Sequence, residues 1–524
     1  MTRTQRLAYG ALLGVAAAGA ALGTAEPLAA LVGRGSSPVV AVGLAVIDAV
    51  PRPVKEFGIA TFGQHDKIAL LTGVFAVLAM FALVCGVAAL RLLPVGIAGI
   101  ALFGAVGVAA AGTRPGATLW DATPSLVGTV AAVVTLVFLR RAALGATAAD
   151  TDRSEEASPD RRRGRVNLES TDRRGFLALS LTVLAASATL GAAGRFLGNL
   201  RDVGAERLAI RLPRAARPSP SLPPGADQRL PDLTPFLTPP GDFYRVDTAL
   251  VVPQISVEDY RLRIHGRVFR EVSLSYQQLL DRPLIERVIT LSCVSNEVGG
   301  DLAGTARWLG VPLKDLLDDV GAADDADQLL STSVDGWTCG TPVAAIRDGR
   351  DAMLVVGMNG EPLPLERGYP VRLLVPGLYG YVSATKWLAD LELTRFADAR
   401  PYWVKRGWKA QAPIKTFSRI DTPRPLARTA PGRVTVAGVA WAPQRGIERV
   451  EVRVDGSAWQ TTTLAAVPSI DTWRQWRWDW DAKPGRHTLE VRATDRTGVV
   501  QPEKRETPFP NGASGWHSVV VVIE

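Results

Sequence analysis

Hydrophobic and polar positions divide the chain into two parts of different character. The first 200 residues are rich in Ala, Val, Leu and Gly and contain five apolar runs long enough for membrane-spanning helices. A sixth run, Pro38–Val50, is shorter and contains Asp48, so we interpret it as an interfacial or re-entrant segment. We predict a transmembrane helical region over residues 1–198, with spans at Leu7–Ala25, Ile68–Leu90, Leu92–Ala111, Thr123–Leu139 and Phe176–Gly194.

The basic residues between these runs predict the orientation of the helices. If the N-terminus is cytoplasmic, the inner segments carry twelve arginines and the outer loops carry five basic residues. The positive-inside rule favours this arrangement, and five crossings then place everything after residue 195 on the extracytoplasmic side. The inner set is Arg3, Arg6, Arg91, Arg140, Arg141, Arg153, Arg161, Arg162, Arg163, Arg165, Arg173 and Arg174, and the outer set is Arg34, Arg52, Lys55, Lys67 and Arg114.

Two adjacent arginines precede the fifth apolar run. The sequence Thr171-Asp172-Arg173-Arg174-Gly175-Phe176-Leu177 resembles a twin-arginine export signal, which serves proteins that fold around a cofactor before export. The positive-inside rule alone would also place arginines at this position. Both interpretations of Arg173 and Arg174 stay open.

The sequence then predicts a linker and a first soluble domain. Residues 199–240 lack apolar periodicity, and nine prolines between Pro213 and Pro240 indicate a semi-extended tether. In residues 241–410, short apolar strands such as Val288–Cys293 alternate with helix-like runs. This alternation is typical of a mixed α+β domain.

A second soluble domain is predicted over residues 411–524. Ile447–Val454 alternates apolar and charged residues, as a half-buried strand does, and further short strands follow at close spacing. The segment also holds seven of the thirteen tryptophans, which can supply the core of a small β-sandwich. The predicted fold class is α+β, with helices at the N-terminus and a sandwich at the C-terminus.

Composition narrows the classes of function. The net charge of +8 comes from scattered arginines rather than a basic stripe with interleaved aromatics, which argues against nucleic-acid binding. The cysteines Cys85, Cys293 and Cys339 leave at most one disulfide outside the apolar runs, so the chain is no disulfide scaffold. The four histidines lie outside the predicted spans, which disfavours a haem held by paired histidines in the membrane.

Two segments combine residue types that could form a binding site. A β-branched strand ends at Cys293 and passes into a polar loop with two glycines, although residue type alone favours a buried thiol or a partner of Cys339. Further on, the strand around Arg372 leads into a glycine-containing loop with Ser383, Thr385 and Lys386. Such a loop supplies hydroxyls, backbone donors and a cation for a phosphate, or it is a solvated surface turn.

Together these segments resemble the sulfite oxidase family of molybdopterin-dependent oxidoreductases, in a membrane-anchored bacterial form. The resemblance runs from Phe243 to Glu524 and implies a sulfite-oxidase-like molybdopterin domain followed by an immunoglobulin-like β-sandwich. Besides the cysteine strand, it rests on Thr305-Ala306-Arg307-Trp308, Asn359–Pro364, Pro370-Val371-Arg372, Lys386-Trp387, Gly438-Val439-Ala440-Trp441, Arg449-Val450-Glu451-Val452 and Gln501-Pro502.

The resemblance implies a molybdenum–molybdopterin cofactor. Cys293 would be the catalytic residue and the metal ligand, its thiolate bonded to molybdenum beside two pterin sulfurs, since soft thiolates suit such a centre. An unpaired arginine at position 372, between apolar residues, would be costly, which favours a buried anion as its partner. The implied cofactor-binding residues are Tyr244, Arg245, Asn296, Thr332, Arg367, Arg372, Ser383, Thr385 and Lys386.

The chain departs from the family pattern beside the cysteine. Sulfite oxidases proper follow the cysteine with an asparagine and two arginines, whereas here Asn296 precedes Glu297 and Val298. They also place a tyrosine before the Asn-Gly-Glu-Pro run, where this chain has Val356-Gly357-Met358. A carboxylate in place of a cation should repel a dianion. We therefore expect oxygen-atom transfer on a small molecule other than sulfite.

Two alternatives remain at this stage. The chain could oxidise sulfite despite the changed pocket, or it could be a membrane-tethered binding protein that keeps the fold without a catalytic metal. In the second case Cys293 could pair with Cys339. Because the sequence offers neither haem ligands nor iron–sulfur cysteines, an enzyme would need a separate electron-transfer protein, haem- or quinol-linked. A homodimer through the C-terminal domain is also considered.

Overall fold

The computed structural model describes residues 3–51, 54, 66–114, 117–155, 173–200 and 203–524. The chain forms two compact units. The first contains residues 1–202 together with 249–253, and the second contains residues 203–248 and 254–524.

The first unit is helical. Among the described residues, five helices are long and apolar enough to cross a membrane, which agrees with the five predicted spans. A shorter apolar helix, α2, covers the sixth run. The helices are α1 Arg3–Val32, α2 Pro38–Ala49, α3 Asp66–Arg91, α4 Leu93–Gly112, α5 Thr123–Glu155 and α6 Arg173–Leu200.

Small residues allow the first helices to pack closely. A Cβ atom at Gly14 of α1 would overlap the carbonyl oxygen of Ala82, and one at Gly86 of α3 would overlap that of Gly10. Helix α6 begins at Arg173, so Thr171 and Asp172 of the predicted export motif lie outside the described residues. The basic residues of the orientation count that lie outside them are Arg52, Lys55, Arg161, Arg162, Arg163 and Arg165.

The second unit begins with a mixed α+β part built on two sheets. One sheet has the strand order β2-β1-β10-β5-β6, and the other has the order β3-β4-β7-β8 with β9 paired to β7. The strands are β1 Arg261–Gly266, β2 Val272–Ser275, β3 Ile285–Ser292, β4 Ala303–Pro312, β5 Gln328–Ser333, β6 Thr338–Pro342, β7 Met353–Met358, β8 Glu361–Pro362, β9 Arg372–Leu374 and β10 Leu388–Thr394. Short helices accompany them: α7 Gly204–Ala209, α8 Tyr276–Leu280, α9 Leu313–Val320 and α10 Val343–Arg347.

Two further sheets follow toward the C-terminus. Their orders are β11-β13-β17-β16 and β12-β19-β18-β14-β15, and they share an apolar core that includes Trp476 and Trp480. The immunoglobulin-like assignment and the domain boundaries stay predictions. The strands are β11 Phe417–Thr422, β12 Arg428–Thr429, β13 Gly432–Trp441, β14 Ile447–Val454, β15 Gln460–Thr461, β16 Thr463–Leu464, β17 Arg474–Ala482, β18 Gly485–Asp495 and β19 His517–Ile523.

The Pro-rich segment packs within the second unit rather than extending freely. Phe236 is fully buried, and the Gln228 N–H donates to Oε1 of Gln475 at 2.7 Å. Gln475 in turn donates to the carbonyl of Thr234 at 2.8 Å. Prolines remove backbone donors and keep the segment out of the sheets, but its apolar side chains still contribute to the core.

Candidate functional site

Cys293 follows the last residue of strand β3 and begins a tight loop. Its N–H donates to the carbonyl of Leu302 at 2.9 Å, and its sulfur accepts from the N–H of Ser295 at 3.4 Å. The side chain of Asn296 closes the loop, because its Oδ1 accepts from the N–H of Leu302 at 2.8 Å. The strand and the loop bonds therefore fix the position of the thiol.

Residues near the C-terminus hold this loop from the other side. Arg419 donates to the carbonyl of Gly300 at 2.6 Å, and its guanidinium also pairs with Asp421 at 2.6 Å. A Cβ atom at Gly299 would overlap the ring of His517. Gly299 has φ +80°, so glycine is required there both by backbone conformation and by space.

Strand β3 itself is fastened to the C-terminal sheets. The hydroxyl of Thr290 accepts from the N–H of Trp473 at 2.7 Å, and the Thr290 N–H donates to the carbonyl of Asp471 at 2.8 Å. The indole N–H of Trp473 donates to the carbonyl of Phe236 at 2.8 Å. The element that carries Cys293 is thus braced by residues almost two hundred positions away.

Tyr244 lies within electrostatic range of Arg367, Arg372 and Cys293. Burial raises the pKa of Tyr244, and the nearby Cys293 raises it further, while Arg372 and Arg367 oppose both effects. Arg367 is 7% exposed and donates to the carbonyl of Tyr244 at 2.9 Å. Arg372 is 4% exposed and donates to the carbonyl of Arg367 at 3.2 Å. These three residues and Cys293 are among those that the family resemblance assigns to one site.

Lys386 and Arg245 share a carboxylate that the sequence did not assign to the site. Asp247 accepts from Lys386 at 2.8 Å and from Arg245 at 2.9 Å, and its side chain is 7% exposed. Burial lowers the pKa of Lys386 to about 8, and Asp247 opposes that change. Arg372 and Arg245 act in the same direction as burial, which shows how closely the cations are grouped.

The site carries an excess of positive charge in a poorly hydrated environment. Among the described residues, Arg245, Arg367, Arg372 and Lys386 lie here with Asp247 as their buried carboxylate. Burial lowers the pKa of Arg372 to about 10. Burial also raises the pKa of the Cys293 thiol. Hydrogen bonds from Ser295 and the charge of Lys386 lower this pKa, but more weakly.

This arrangement fits an anionic, sulfur-bonded cofactor. Nε of Arg372 is buried and has no hydrogen-bond partner among the described residues, and no carboxylate pairs with this guanidinium. A buried cation in such a state is stabilised by an anion, and a guanidinium is suited to phosphate. The thiol of Cys293 is the soft donor at the same site.

Of four further predicted cofactor contacts, three have other partners in the structure. Ser383 donates to the carbonyls of Leu378 at 3.0 Å and Tyr379 at 3.1 Å, and Thr385 shares a hydrogen bond of 2.6 Å with Ser331. Thr332 is half-buried in β5 and makes no side-chain hydrogen bond within the described residues. Asn296 braces the cysteine loop, and its Nδ2 has no partner in the described part of the chain.

Three residues of the site escaped sequence reasoning. Asp247 is one, and its position two residues after Arg245 was the available signal. Tyr379 is another, a buried phenol within electrostatic range of Cys293. Trp308 is the third, a fully buried ring against which Arg372 lies.

Cys293 and Cys339 are both free, buried thiols. Cys339 lies on β6, and burial raises its pKa while the hydroxyls of Thr385, Thr341 and Ser331 lower it. The disulfide that the binding-protein alternative allows is therefore not formed in this structure.

Comparison with known proteins adds three similarities. Residues 249–403 match the family described as the oxidoreductase molybdopterin binding domain. The sulfite oxidase of Gallus gallus is 29% identical over 320 residues, which cover 51% of this chain and 68% of the relative. The mitochondrial sulfite oxidase of Homo sapiens is 28% identical over 341 residues, which cover 55% of this chain and 62% of the relative.

A solved structure shares the fold. The sulfane dehydrogenase SoxCD from Paracoccus pantotrophus superposes with a TM-score of 0.50 at 24% identity. The superposition covers 56% of this chain and 84% of that one.

Proposed function

Because the chain belongs to the sulfite oxidase family of molybdopterin-dependent oxidoreductases, whose cofactor is molybdenum–molybdopterin, we propose that it is an extracytoplasmic, membrane-anchored oxygen-atom-transfer enzyme. Cys293 is its catalytic residue and metal ligand. The substrate is a small molecule other than sulfite.

One observation carries this proposal. The Cys293 thiol lies beside Tyr244 and Lys386, in a site where the buried Arg372 lacks a carboxylate partner among the described residues. An isolated buried cation destabilises a protein, and Tyr244 lies within electrostatic range of both this cation and the fixed thiol. This supports a bound anion as the missing partner of Arg372. A pterin that carries a phosphate and chelates a metal would supply the anion for Arg372 and the metal for the Cys293 thiol.

Each residue of the site then has a distinct task. Bound molybdenum supplies two-electron redox chemistry and keeps the Cys293 sulfur in its thiolate form. Arg367 and Arg372 offer planar donors to the anionic part of the cofactor, and Asp247 holds Lys386 and Arg245 in position. Tyr244 is a buried phenol that can donate a hydrogen bond to the ring system.

Asn296, Ser383, Thr385 and Thr332 stay proposed contacts of lower rank. Their hydrogen bonds support a bracing role for the first three, since each hydroxyl or amide already holds backbone or a neighbouring side chain. A fixed surrounding shell is what a metal site needs to keep its ligand oriented.

The residues after the cysteine support a substrate other than sulfite. Glu297 is exposed and Val298 is half-buried, in the positions where sulfite oxidases proper have two arginines. A neutral sulfoxide or N-oxide would avoid the repulsion that a dianion meets at a carboxylate. True sulfite oxidation remains the alternative, and a sulfite-dependent assay with a dye acceptor distinguishes the two.

Membrane anchoring rests on the five apolar helices and on the charge count. The proposed domains are a transmembrane region at 1–198, a linker at 199–240, the molybdopterin domain at 241–410 and the immunoglobulin-like domain at 411–524. Electrons would pass to or from a haem- or quinol-linked partner.

Protease digestion of intact spheroplasts tests on which side of the membrane the soluble unit lies. We expect loss of the soluble unit, whereas full protection would place it in the cytoplasm.

The molybdenum content of two cysteine variants tests the metal site. Cys293→Ser and Cys339→Ser each remove one buried thiol from the same unit, so they form a matched pair. In protein from a molybdenum-replete host, we expect about one metal per chain in the wild type and in Cys339→Ser, and loss of metal and turnover in Cys293→Ser. Equal metal content in both variants would contradict the assignment, and metal-free wild type would support the non-catalytic alternative.

A further inference from the structure

A cavity within the helical unit has no role in the function proposed so far. It encloses about 90 Å³ and lies among α1, α3, α4 and α5. The residues that matter for its chemistry are Phe81, Cys85, Phe103, Ser125, Thr129 and Ala132.

The lining excludes ionic ligands. It contains no Asp, Glu, Lys, Arg or His within the described part of the chain, and most of its residues are Gly, Ala, Leu and Phe. A phosphate headgroup or a metal ion would be unpaired in such surroundings. The ligand must therefore be largely apolar.

One hydroxyl distinguishes this cavity from a packing defect. Ser125 lines it, is 4% exposed, and has no hydrogen-bond partner for its Oγ among the described residues. Thr129, the other hydroxyl of the lining, already donates to the carbonyl of Ser125 at 2.7 Å. An unpaired buried hydroxyl is costly, so Ser125 is suited to a ligand that carries an acceptor oxygen.

The aromatic residues favour a flat ring beside that acceptor. The Phe81 and Phe103 rings, from α3 and α4, lie 5.6 Å apart between centroids with an interplanar angle of 35°. Aromatic side chains of this kind pack against planar ligands. An acyl chain would fill the volume but leave the Ser125 hydroxyl unpaired.

We propose that this cavity binds a lipid-soluble quinone, with a quinone carbonyl accepting a hydrogen bond from Ser125. The inference rests on the proposed membrane anchoring, and it gives the electron partner a place on this chain. Removal of one oxygen atom from a sulfoxide or N-oxide consumes two electrons and two protons and releases water. Oxidation of one quinol to quinone supplies two electrons and two protons, so one ligand balances one turnover.

Binding can be measured on the full-length chain in lipid nanodiscs with menaquinone-4, whose substituted quinone ring cannot alkylate Cys85. We expect saturable binding near one per chain and an affinity about five- to tenfold lower in Ser125→Ala. Ser180→Ala is the matched control, because Ser180 is also a buried helical serine with an unpartnered Oγ but does not line the cavity. Ala132→Phe, which fills the cavity, should abolish binding.

Cys85 provides a second readout that does not depend on activity. It lines the cavity, so bound menaquinone-4 should slow its alkylation by N-ethylmaleimide severalfold relative to the same protein without menaquinone-4. The proposal would be overturned by any of three results. These are non-saturating binding, equal affinities of the Ser125→Ala and Ser180→Ala variants, and equal protection of Cys85 by dodecane. Molybdenum content is measured on the same samples. Metal-loaded protein without quinone binding refutes only this inference, and quinone binding by metal-free protein refutes only the proposed enzyme.

Discussion

The guanidinium carbon of Arg372 lies 5.3 Å from the centroid of the Trp308 ring. That ring is fixed, because it is fully buried and its indole N–H donates to the carbonyl of Ile289 at 3.1 Å. The cation is thus held by an aromatic face and a backbone carbonyl, with no carboxylate partner among the described residues. Its charge is left for an anion that enters the site.

Replacing Arg372 by methionine should have opposite effects on the empty and the loaded protein. Removal of an unpaired buried charge should leave the stability of cofactor-free protein unchanged or raise it by about 1 kcal/mol. Loss of the anion contact should lower molybdopterin content about tenfold or more. Thermal melting of cofactor-free protein and pterin analysis of loaded protein check the two effects.

Arg445→Met is the control for this prediction. Arg445 pairs at 2.8 Å with Asp495, which is 1% exposed, so this change strands a buried carboxylate and should destabilise the protein by roughly 3 kcal/mol. If Arg372→Met destabilised the empty protein as much and kept its pterin, Arg372 would be a structural residue.

Asp247→Asn should destabilise the site as a whole. The carboxylate neutralises Lys386 and Arg245 in a buried environment, and its loss leaves two neighbouring cations in repulsion. We expect a decrease of about 2–4 kcal/mol in the free energy of unfolding, measured by denaturant titration. Asp398→Asn, which removes the partner of the exposed Arg395, should leave the midpoint unchanged. Equal midpoints for the two variants would argue against the bridging role of Asp247.

His517 should make the protein sensitive to acid. Burial first, and then Arg419 and Arg505, lower the pKa of His517 to about 4, although Asp421 opposes them. The unfolded state therefore binds the proton more tightly, so the stabilisation is full above pH 6.5 and is lost as the pH falls toward 4. The change is on the order of 2 kcal/mol for this partly exposed ring.

His517→Asn isolates that effect. The asparagine Oδ1 can still accept the Ile420 N–H that now donates to Nδ1 at 3.0 Å, but it does not titrate in this range. The variant should show a flatter dependence of stability on pH between 6.5 and 4. Parallel curves for the variant and the wild type would show that other groups cause the acid sensitivity.

Sulfite turnover should improve when the missing cations are introduced. Glu297→Arg combined with Val298→Arg places positive charge where sulfite oxidases proper have it, and should raise sulfite-dependent dye reduction about tenfold. Glu448→Arg with Val499→Arg gives the same change in net charge at exposed positions elsewhere. Equal gains in both double variants would point to general steering rather than to the pocket.

Local patterns predicted the elements well, whereas long-range contacts were beyond them. Strand β14 occupies the predicted Ile447–Val454, because alternation of apolar and charged residues directly reflects a half-buried strand. The pairing of Asp247 with Lys386 could not be predicted, since 139 residues separate the two. The bond from Arg419 to Gly300 spans 119 residues and leaves no local trace in either segment.

The Pro-rich segment shows the same limit. Proline content predicts an extended backbone, but it does not reveal that Phe236 is buried in the core of the second unit. Among the residues assigned to the site, Tyr244 and Lys386 lie within electrostatic range of Cys293, and Arg367 and Arg372 lie within that range of Tyr244. Their roles toward a cofactor stay predictions. Ser383 and Thr385 belong to the same loop as Lys386, but their hydroxyls bond to neighbouring protein groups. The sequence does not reveal these bonds.

X-ray absorption at the molybdenum edge tests the bond between Cys293 and the metal most directly. Wild-type protein and the Cys339→Ser variant should each show three sulfur neighbours, two from the pterin and one from the protein. Cys293→Ser protein that retains any metal should show two. Three sulfur neighbours in Cys293→Ser, or two in the wild type, would contradict the account.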